Sequence, residues 1–274
     1  MMSVVVLLLS SGLGVACAGS GVLFGAVDLS PRQGAPPARA AESLESTAPL
    51  PPPDFLPSCL ELIRRGRNAE ARALLQPVVA GHPGWSRAHF YLGLTYHAEH
   101  RYEEASELFR RALALDPESS APRMYQGWSL YYLGRLDQAR GMFESYLAAH
   151  PAYADAIFAL GLIDFDGDAL DSARSRFEET IRLAREKRDT STEAKARARL
   201  ADVWIRGGDW ERARADLERS IRLNPDNHET YFKLSRVLER LGDADGAAQV
   251  RRKHDEIRRR ARPESAKVEE TLQP

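Results

Sequence analysis

The chain has 274 residues, of which 43% are hydrophobic and 28% are charged, and its formal net charge is -1. This composition is typical of a folded protein that faces water, and the near-zero charge excludes a strong long-range attraction to nucleic acid or to anionic lipid. Two cysteines, Cys17 and Cys59, are too few for a framework of disulfide bonds.

The N-terminal segment 1–27 contains no charged side chain, and its residues 4–9 are all Val or Leu. Such a segment predicts a signal peptide or a membrane anchor. Cys17 lies between two alanines, a pattern that a signal peptidase accepts, and it loosely resembles the lipidated cysteine of bacterial lipoproteins. The basic residues of a secretory signal are missing. Four possibilities therefore stay open: the segment is cleaved, is lipidated at Cys17, is retained as an anchor, or has neither an export nor an anchor role.

The same segment predicts a localisation. An export signal would place the rest of the chain outside the cytoplasm, and we expect it there, exported or attached to a membrane. Arg32 and Arg39 follow the segment, whereas nothing basic precedes it. If the segment is retained as an anchor, this distribution of charge favours a folded part that faces the cytoplasm.

A linker rich in proline and alanine follows over residues 28–51. Proline blocks helix formation and favours an extended chain, so the linker is expected to act as a spacer in front of the folded part. Its prolines are Pro31, Pro36, Pro37, Pro49 and Pro51.

From residue 52 onward the sequence repeats with a period of 34 residues, as the spacing of Gly93, Gly127 and Gly161 illustrates. A period of this length predicts stacked helical hairpins rather than one globular core. Each block holds two amphipathic stretches separated by a polar or glycine-containing turn. The predicted blocks are 52–85, 86–119, 120–153, 154–187, 194–227 and 228–261.

The fifth block is displaced by six residues, which places an insertion near residues 187–193. The chain turns polar there. Thr190 and Glu193 have the spacing of a capping box, in which each side chain bonds to the backbone N–H of the other residue. A helix is therefore expected to restart at this point.

The recurring small residues predict close contacts between the two helices of a hairpin. Glycine inside a helix costs about 1 kcal/mol relative to alanine, so its recurrence indicates a gain in packing. We expect Gly93 to face Ala105, with Phe109 filling the space beside them. The structural repeat positions are Gly93, Ala105, Gly127, Ala139, Gly161, Ala173 and Ala213.

The residues at these positions resemble the signature of a known family of repeat proteins. The second block carries Leu92, Gly93, Tyr96, Ala105, Phe109, Ala112 and Pro117. This set resembles the signature of the tetratricopeptide repeat family, and the resemblance extends over residues 52–261. It implies an all-α, right-handed superhelical solenoid of about six hairpins. It further implies that the first helices line a concave groove and that the groove holds a protein or peptide partner.

If that geometry applies, outward-turned residues of the first helices line the groove. The near part of the groove is aromatic, the far part is charged, and an extended segment with an apolar and an acidic stretch would suit both. The alternative is that several rings pack on neighbouring helices. The predicted groove residues are Phe90, Tyr91, Leu94, Met124, Tyr125, Trp128, Tyr131, Tyr132, Phe158, Leu162, Phe165, Lys195 and Arg199.

Other motifs give no chemistry of their own. The aspartates between residues 164 and 171 depart from a calcium-binding loop in the placement of glycine and of the final ligand, so we expect them to cap the following helix. The histidines have no metal-site spacing, and no catalytic motif is present. Neither a cofactor nor a metal is therefore expected. The basic run 251–262 is expected to close the stack as a polar last helix, and 262–274 to be a disordered tail.

The sequence thus predicts a non-catalytic scaffold or adaptor that binds a protein segment in its groove. The alternative is an accessory or regulatory subunit of a secretion or biosynthesis complex at the cell envelope. Membrane attachment through the N-terminal segment is compatible with both roles. The identity of the partner and the oligomeric state stay open, because ligands differ between proteins that share this scaffold.

Overall fold

The computed structural model describes residues 50–260, and this part of the chain folds into twelve α-helices with no β-strand. The helices come in six consecutive pairs, so the predicted all-α solenoid of hairpins is confirmed. The predicted segment 1–27, the linker up to residue 49 and the tail 262–274 lie outside the described residues. The helices are α1 (Phe55–Arg64), α2 (Asn68–Gly81), α3 (Ser86–Ala98), α4 (Tyr102–Leu115), α5 (Ser120–Tyr132), α6 (Leu136–Ala149), α7 (Ala154–Asp166), α8 (Leu170–Glu186), α9 (Thr190–Arg206), α10 (Trp210–Leu223), α11 (His228–Arg240) and α12 (Ala244–Arg260).

Each helix packs mainly against its neighbours in sequence. The two helices of a hairpin pack against each other, and each second helix also packs against the first helix of the next hairpin. The first helices contact one another from α1 through α9. This is the contact pattern of a solenoid, in which a repeat touches only adjacent repeats. We call the odd-numbered helices the inner helices and the even-numbered helices the outer helices.

The repeated glycines of the inner helices receive the repeated phenylalanine rings of the outer helices. A Cβ atom added at Gly93 would lie 2.6 Å from Phe109 Cε1, and one added at Gly127 would lie 2.7 Å from Phe143 Cε1. Both rings are fully buried. The three atoms nearest to such a Cβ at Gly93 all belong to the Phe109 ring, so the ring makes the closest contact with the glycine, and the expectation that Gly93 also faces Ala105 stays a prediction. Only a residue without a side chain allows the ring to pack this close to the inner helix.

The repeated alanines lie in the first or second turn of the outer helices. They are fully buried, so a larger side chain would have to displace a neighbouring helix. These alanines are Ala105, Ala139, Ala173 and Ala213. The small residues that recur in the sequence thus pack in the same way in each of these hairpins.

A residue with a left-handed backbone closes each of the six hairpins. Glycine occupies this position in four of them, as Gly66, Gly134, Gly208 and Gly242. His100 and Asp168 occupy it in the second and fourth hairpins, with φ of 60° and 61°. Arg188, with φ of 56°, has the same conformation in the connection between α8 and α9. A left-handed backbone costs a residue with a Cβ about 1–2 kcal/mol, so these three positions carry local strain.

The inserted residues lengthen two helices instead of forming a loop. Helices α8 and α9 have 17 residues each, and α9 begins at Thr190, ahead of the predicted block 194–227. Its N-cap is Asp189, whose side chain accepts a hydrogen bond from the Thr192 backbone N–H. The predicted capping box is therefore wrong in its cap residue. Glu193 takes no part in the cap, since its carboxylate pairs with arginines.

The last helix, α12, buries only Ala247 and Ile257 and exposes most of its basic side chains. Several of these bases pair locally, as Lys253 does with Glu256 at 2.9 Å. Within residues 50–260, no helix combines the length and the apolarity that crossing a bilayer requires.

Candidate partner-binding groove

All thirteen predicted groove residues lie on inner helices, from α3 to α9, but they differ widely in exposure. Six of them are buried between helices and have no surface to offer a partner, so the prediction of an exposed lining is wrong for them. The buried residues are Phe90, Tyr91, Leu94, Met124, Tyr125 and Leu162.

Packing between hairpins explains this burial. The ring centroid of Phe90 lies 5.7 Å from that of Tyr125 in the next hairpin, and 5.7 Å from that of Phe109 in its own. Tyr125 is only 5% exposed. Burial raises the pKa of its hydroxyl. Neighbouring inner helices thus cover one another's aromatic positions, as the alternative interpretation of the sequence anticipated.

The other seven predicted residues keep exposed surface. Trp128, Tyr131, Phe158 and Phe165 are partly buried, whereas Tyr132, Lys195 and Arg199 are exposed. Tyr132 is 50% exposed, an unusual value for a large aromatic ring. The surface that remains is therefore narrower than the sequence suggested, and it lies on α5, α7 and α9.

Three rings with nearly parallel faces form the most regular feature of this surface. The Tyr132 ring stacks on the Tyr102 ring, with centroids 4.6 Å apart and an interplanar angle of 19°. The Trp128 ring lies 5.9 Å from the Tyr132 ring at 26°. We call Tyr102, Tyr132 and Trp128 the ring ladder. Tyr131 abuts it at a right angle, with its centroid 5.9 Å from that of Trp128.

Tyr102 is a groove residue that the sequence analysis missed. It is the first residue of an outer helix, α4, whereas all the predicted groove residues lie on inner helices. The turn before α4 brings Tyr102 alongside the end of α5. The aromatic residue directly after a turn was the available signal.

His97 lies buried behind the ring ladder. Its Nδ1 is 3.0 Å from Ser129 Oγ, and its ring centroid is 5.3 Å from that of Tyr102. Burial lowers the pKa of His97 to about 4, so the ring is neutral at physiological pH. His100 Nδ1 is 2.7 Å from Tyr102 Oη. Both histidines therefore support the ladder.

The inner helices change from aromatic to charged after α7. Asp202 pairs with Lys233 at 2.6 Å and with Arg199 at 3.3 Å, so one carboxylate serves two cations. Lys195 and Arg236 have no carboxylate within ion-pair distance among residues 50–260. An excess of positive charge therefore lies on the inner side of α9 and α11.

The two parts of the surface meet around Phe165. The Arg206 guanidinium lies 4.1 Å from the centroid of the Phe165 ring, and it donates hydrogen bonds to the Phe165 carbonyl and to Asp168 Oδ1, each at 3.1 Å. On the other side, the Tyr131 hydroxyl donates to Asp166 Oδ2 at 2.9 Å. Desolvation and this carboxylate both raise the pKa of Tyr131, which therefore stays protonated.

The aspartates of the predicted capping cluster have other partners. Asp164 is buried and pairs with Arg140 at 2.7 Å and with Arg176 at 2.6 Å. Helix α8 starts after Ala169 with no side-chain cap, so the expectation that these aspartates cap it is wrong. In the described part of the chain, no three metal-ligating side chains come together.

A second network of buried charge lies at the start of α9 and is structural. Glu193 pairs with Arg185 at 3.0 Å and with Arg197 at 2.9 Å. Arg197 also pairs with Asp216 at 2.5 Å, and the Trp204 indole N–H donates to the same aspartate at 3.0 Å. Cys59 is buried in α1, and this burial raises the pKa of its thiol, which makes it poorly suited to be a nucleophile.

Comparison with known proteins agrees with this architecture. The tetratricopeptide repeat family model matches residues 60–120, 126–189 and 198–265, which is more than half of the chain. No curated protein matches the sequence. Among solved structures, PilF of Pseudomonas aeruginosa is 21% identical with a TM-score of 0.61, over 72% of this chain and 86% of that chain.

Two further structures are similar. A chain of the APC/C hetero-tetramer Cut9–Hcn1 is 16% identical with a TM-score of 0.67, over 74% of this chain and 39% of that chain, so our chain spans less than half of its length. YrrB, described as a TPR protein with an unusual peptide-binding site, is 19% identical with a TM-score of 0.51, over 64% of this chain and 88% of that chain. At these identities the likeness shows the fold alone.

Proposed function

Because the chain belongs to the tetratricopeptide repeat family, we propose that it is a non-catalytic scaffold that binds a segment of a partner protein along its inner helices. The observation that carries the proposal is the surface of partly exposed rings on α5 and α7 that continues into cations on α9 and α11 with no carboxylate within ion-pair distance among residues 50–260. Scaffolds of stacked hairpins present extended surfaces of this kind to partners.

The aromatic part supplies contact area at low entropic cost. Tyr and Trp have only two side-chain torsions, and they dominate the binding energy of many protein interfaces. In this surface the rings are also held in place by one another and by His97, so little further ordering accompanies binding. An apolar stretch of a partner fits these residues.

The cationic part of the surface determines the direction in which the partner segment binds. Neither Lys195 nor Arg236 has a carboxylate within ion-pair distance among the described residues, and the two cations on Asp202 exceed its charge. Glutamate or aspartate in a partner would neutralise this excess. An acidic stretch on one side of an apolar stretch would therefore bind in one direction only.

The peptide-binding site named for YrrB supports a comparable role here by analogy of fold. We also propose, from the uncharged segment 1–27, that the solenoid is exported or membrane-attached. Fractionation of cells that carry the tagged chain tests this second point, since a chain recovered wholly in the cytoplasm would exclude it.

Selection from a displayed library of random 16-residue peptides tests the proposed function. The selected peptides are expected to combine aromatic or apolar residues with aspartate or glutamate. Replacing both free cations, in the double variant Lys195→Ala/Arg236→Ala, should weaken their binding at least tenfold. The matched control is Arg110→Ala/Arg182→Ala, which removes two exposed arginines of the outer helices.

The control variant should bind the selected peptides as the wild type does. Binding that survives the inner substitutions, or that falls equally in the control, would contradict a groove on the inner helices. Circular dichroism checks that both variants keep the helical content of the wild type.

A further inference from the structure

We propose that the partner segment carries an aromatic side chain that packs on Phe232 of α11, next to the acidic residues that bind the cationic part of the surface. The inference rests on the proposed function and deepens it, because Phe232 lies beside Arg236, a cation of the proposed groove. It predicts a recognition motif of three parts in a fixed order: an apolar stretch, an acidic stretch and one aromatic residue.

Phe232 is half exposed on an inner helix. Its side chain is 50% exposed, whereas every phenylalanine of the inner helices from α1 to α7 is buried or partly buried. A single exposed ring is ordinary on a protein surface, so its exposure gains meaning only from its surroundings. Two features of these surroundings indicate a contact site: the way in which equivalent residues are covered, and the charges beside the ring.

The residues equivalent to Phe232 in hairpins two to four are Phe90, Met124 and Phe158, one period apart from each other, and Phe232 follows Phe158 by two periods and the six inserted residues. Each of them packs toward the next inner helix. The ring centroid of Phe90 lies 5.7 Å from that of Tyr125 on α5. Met124 and Phe158 pack in apolar clusters that include residues of α7 and α9, respectively. A large apolar side chain at this position is thus normally covered by the hairpin that follows.

No inner helix follows α11 within residues 50–260, so the ring of Phe232 keeps an accessible side. His254 of α12 lies on one side of the ring, with the centroids 5.8 Å apart. An aromatic side chain of a partner can make, on the accessible side, the contact that Tyr125 makes with Phe90. Aromatic pairs are favourable at centroid distances of about 4.5–7 Å, and aromatic residues dominate the binding energy of many interfaces.

Charge places this aromatic residue next to the acidic part of the partner segment. Arg236 follows Phe232 by one helical turn, on the same face of α11, and its guanidinium lies 5.9 Å from the ring centroid. It is exposed and has no carboxylate within ion-pair distance in the described part of the chain. Glu229 precedes the ring by three residues and so lies toward the other end of the helix. A partner carboxylate that binds Arg236 therefore brings the neighbouring residue of the partner onto Phe232.

Three steps between inner helices separate the aromatic part of the surface on α5 from this ring. Helices α5, α7 and α9 contact one another in turn, and Lys233 of α11 pairs with Asp202 of α9 at 2.6 Å. Packed helices lie about 8–10 Å apart, so Trp128 and Phe232 are about 24–30 Å apart across the groove. An extended segment spans that distance with about seven to nine residues, at about 3.4 Å per residue. The aromatic residue of the partner is therefore expected about eight positions from the apolar stretch.

Synthetic peptides of defined sequence test the proposal with the full chain. Each fluorescein-labelled probe has two leucines at one end, a tryptophan at the other, and between them a spacer of four glutamates with serine at the remaining positions. Spacers of four, seven and eleven residues keep the charge constant, and each probe is made in both chain directions. Fluorescence anisotropy measures the dissociation constants. We expect one direction to bind, and its probe with the seven-residue spacer to bind at least threefold more tightly than the other two.

A double-mutant cycle identifies the contact with Phe232. Replacing the tryptophan of the probe by serine should weaken binding to the wild type at least fivefold, but should change binding to Phe232→Ala by less than twofold. Phe232→Tyr, which keeps an aromatic ring, should behave as the wild type does. The matched control is Leu74→Ala, because Leu74 is 47% exposed but lies on the outer helix α2. This control should keep the full effect of the tryptophan, and circular dichroism checks that all variants are folded.

A tryptophan whose effect persists in Phe232→Ala, or is lost equally in Leu74→Ala, would overturn the proposal. A wild type that binds none of the probes, or that binds all three spacers equally, would overturn it as well. Failure here is distinguishable from failure of the proposed function. Library peptides that bind the chain and respond to Lys195→Ala/Arg236→Ala would uphold the groove even if no partner residue contacts Phe232.

Discussion

The contact between glycine and phenylalanine leads to a prediction that can be worked out from distances. In Gly127→Ala, the new Cβ would lie 2.7 Å from Phe143 Cε1, 2.9 Å from Cζ and 3.0 Å from Cδ1. Carbon contacts shorter than 3.4 Å are already tight, so the fully buried ring has to move by about 0.7 Å. Forcing extra volume into a packed core costs about 1–3 kcal/mol.

Helix propensity acts in the opposite direction. Alanine is better than glycine inside a helix by about 1 kcal/mol. We therefore expect Gly127→Ala to lower the free energy of unfolding by up to about 2 kcal/mol, the packing cost less the gain in helix propensity. In a Phe143→Leu background, which makes room for the methyl group, the same change should be neutral or stabilising by up to about 1 kcal/mol.

Gly141 provides the matched control. It lies inside the outer helix α6, and a Cβ added there would meet nothing within 4 Å. Gly141→Ala should therefore raise the free energy of unfolding by about 0.5–1 kcal/mol, from propensity alone. Urea unfolding followed by circular dichroism measures all four variants. If Gly127→Ala stabilised the chain as Gly141→Ala does, the ring contact would not determine how the hairpins close.

Three further predictions concern strain, buried charge and pH. Arg188→Gly should stabilise the chain by about 0.5–1 kcal/mol in thermal unfolding by relieving a left-handed backbone, and Gly208→Ala should destabilise it by a similar amount. Asp164→Asn should lower the free energy of unfolding, measured with urea, by about 1–3 kcal/mol, because two arginines lose the carboxylate that they share. The cost stays in this range because both arginines are partly hydrated. The pKa of His97 is about 4 in the folded chain and 6.5 in the reference state, so protonation of His97 favours unfolding. The contribution of His97 to the free energy of unfolding should be complete above about pH 7. It should fall by about 3 kcal/mol as the pH drops from 6.5 to 4. His97→Gln should remove that part of the pH dependence.

Each of these predictions has a contradicting outcome. A destabilised Arg188→Gly would mean that its side chain matters more than its backbone. An unchanged Asp164→Asn would mean that the buried pairs contribute nothing net. If the free energy of unfolding of His97→Gln fell with pH as that of the wild type does, the pH dependence would come from carboxylates and not from His97.

The sequence revealed the architecture because the small residues recur at fixed phase. Gly93 and its equivalents pack against the outer helix in the same way in each hairpin, and a period of 34 residues is typical of one arrangement, stacked helical hairpins. The period also placed Phe109 beside Gly93, but it could not show that the ring makes the closest contact. That distance depends on the rotamer of Phe109 and on the crossing of two helices.

The groove was less predictable, because exposure is a property of neighbouring hairpins. Tyr125 and Trp128 stand three residues apart on α5, yet only Tyr125 is enclosed by the preceding hairpin. A substitution of Tyr125 would therefore test the core and not the groove. Tyr102 was missed because a turn, which sequence periodicity does not describe, brings it to the ladder. The partners of Asp164 depend likewise on contacts between helices.

A crystal structure of the chain bound to a library-selected peptide tests the central claim most directly. The account predicts a peptide that runs along the inner helices, with apolar side chains on Trp128 and Phe165 and a carboxylate near Lys195. A peptide bound to the outer helices, or to the end of the stack at α12, would contradict it.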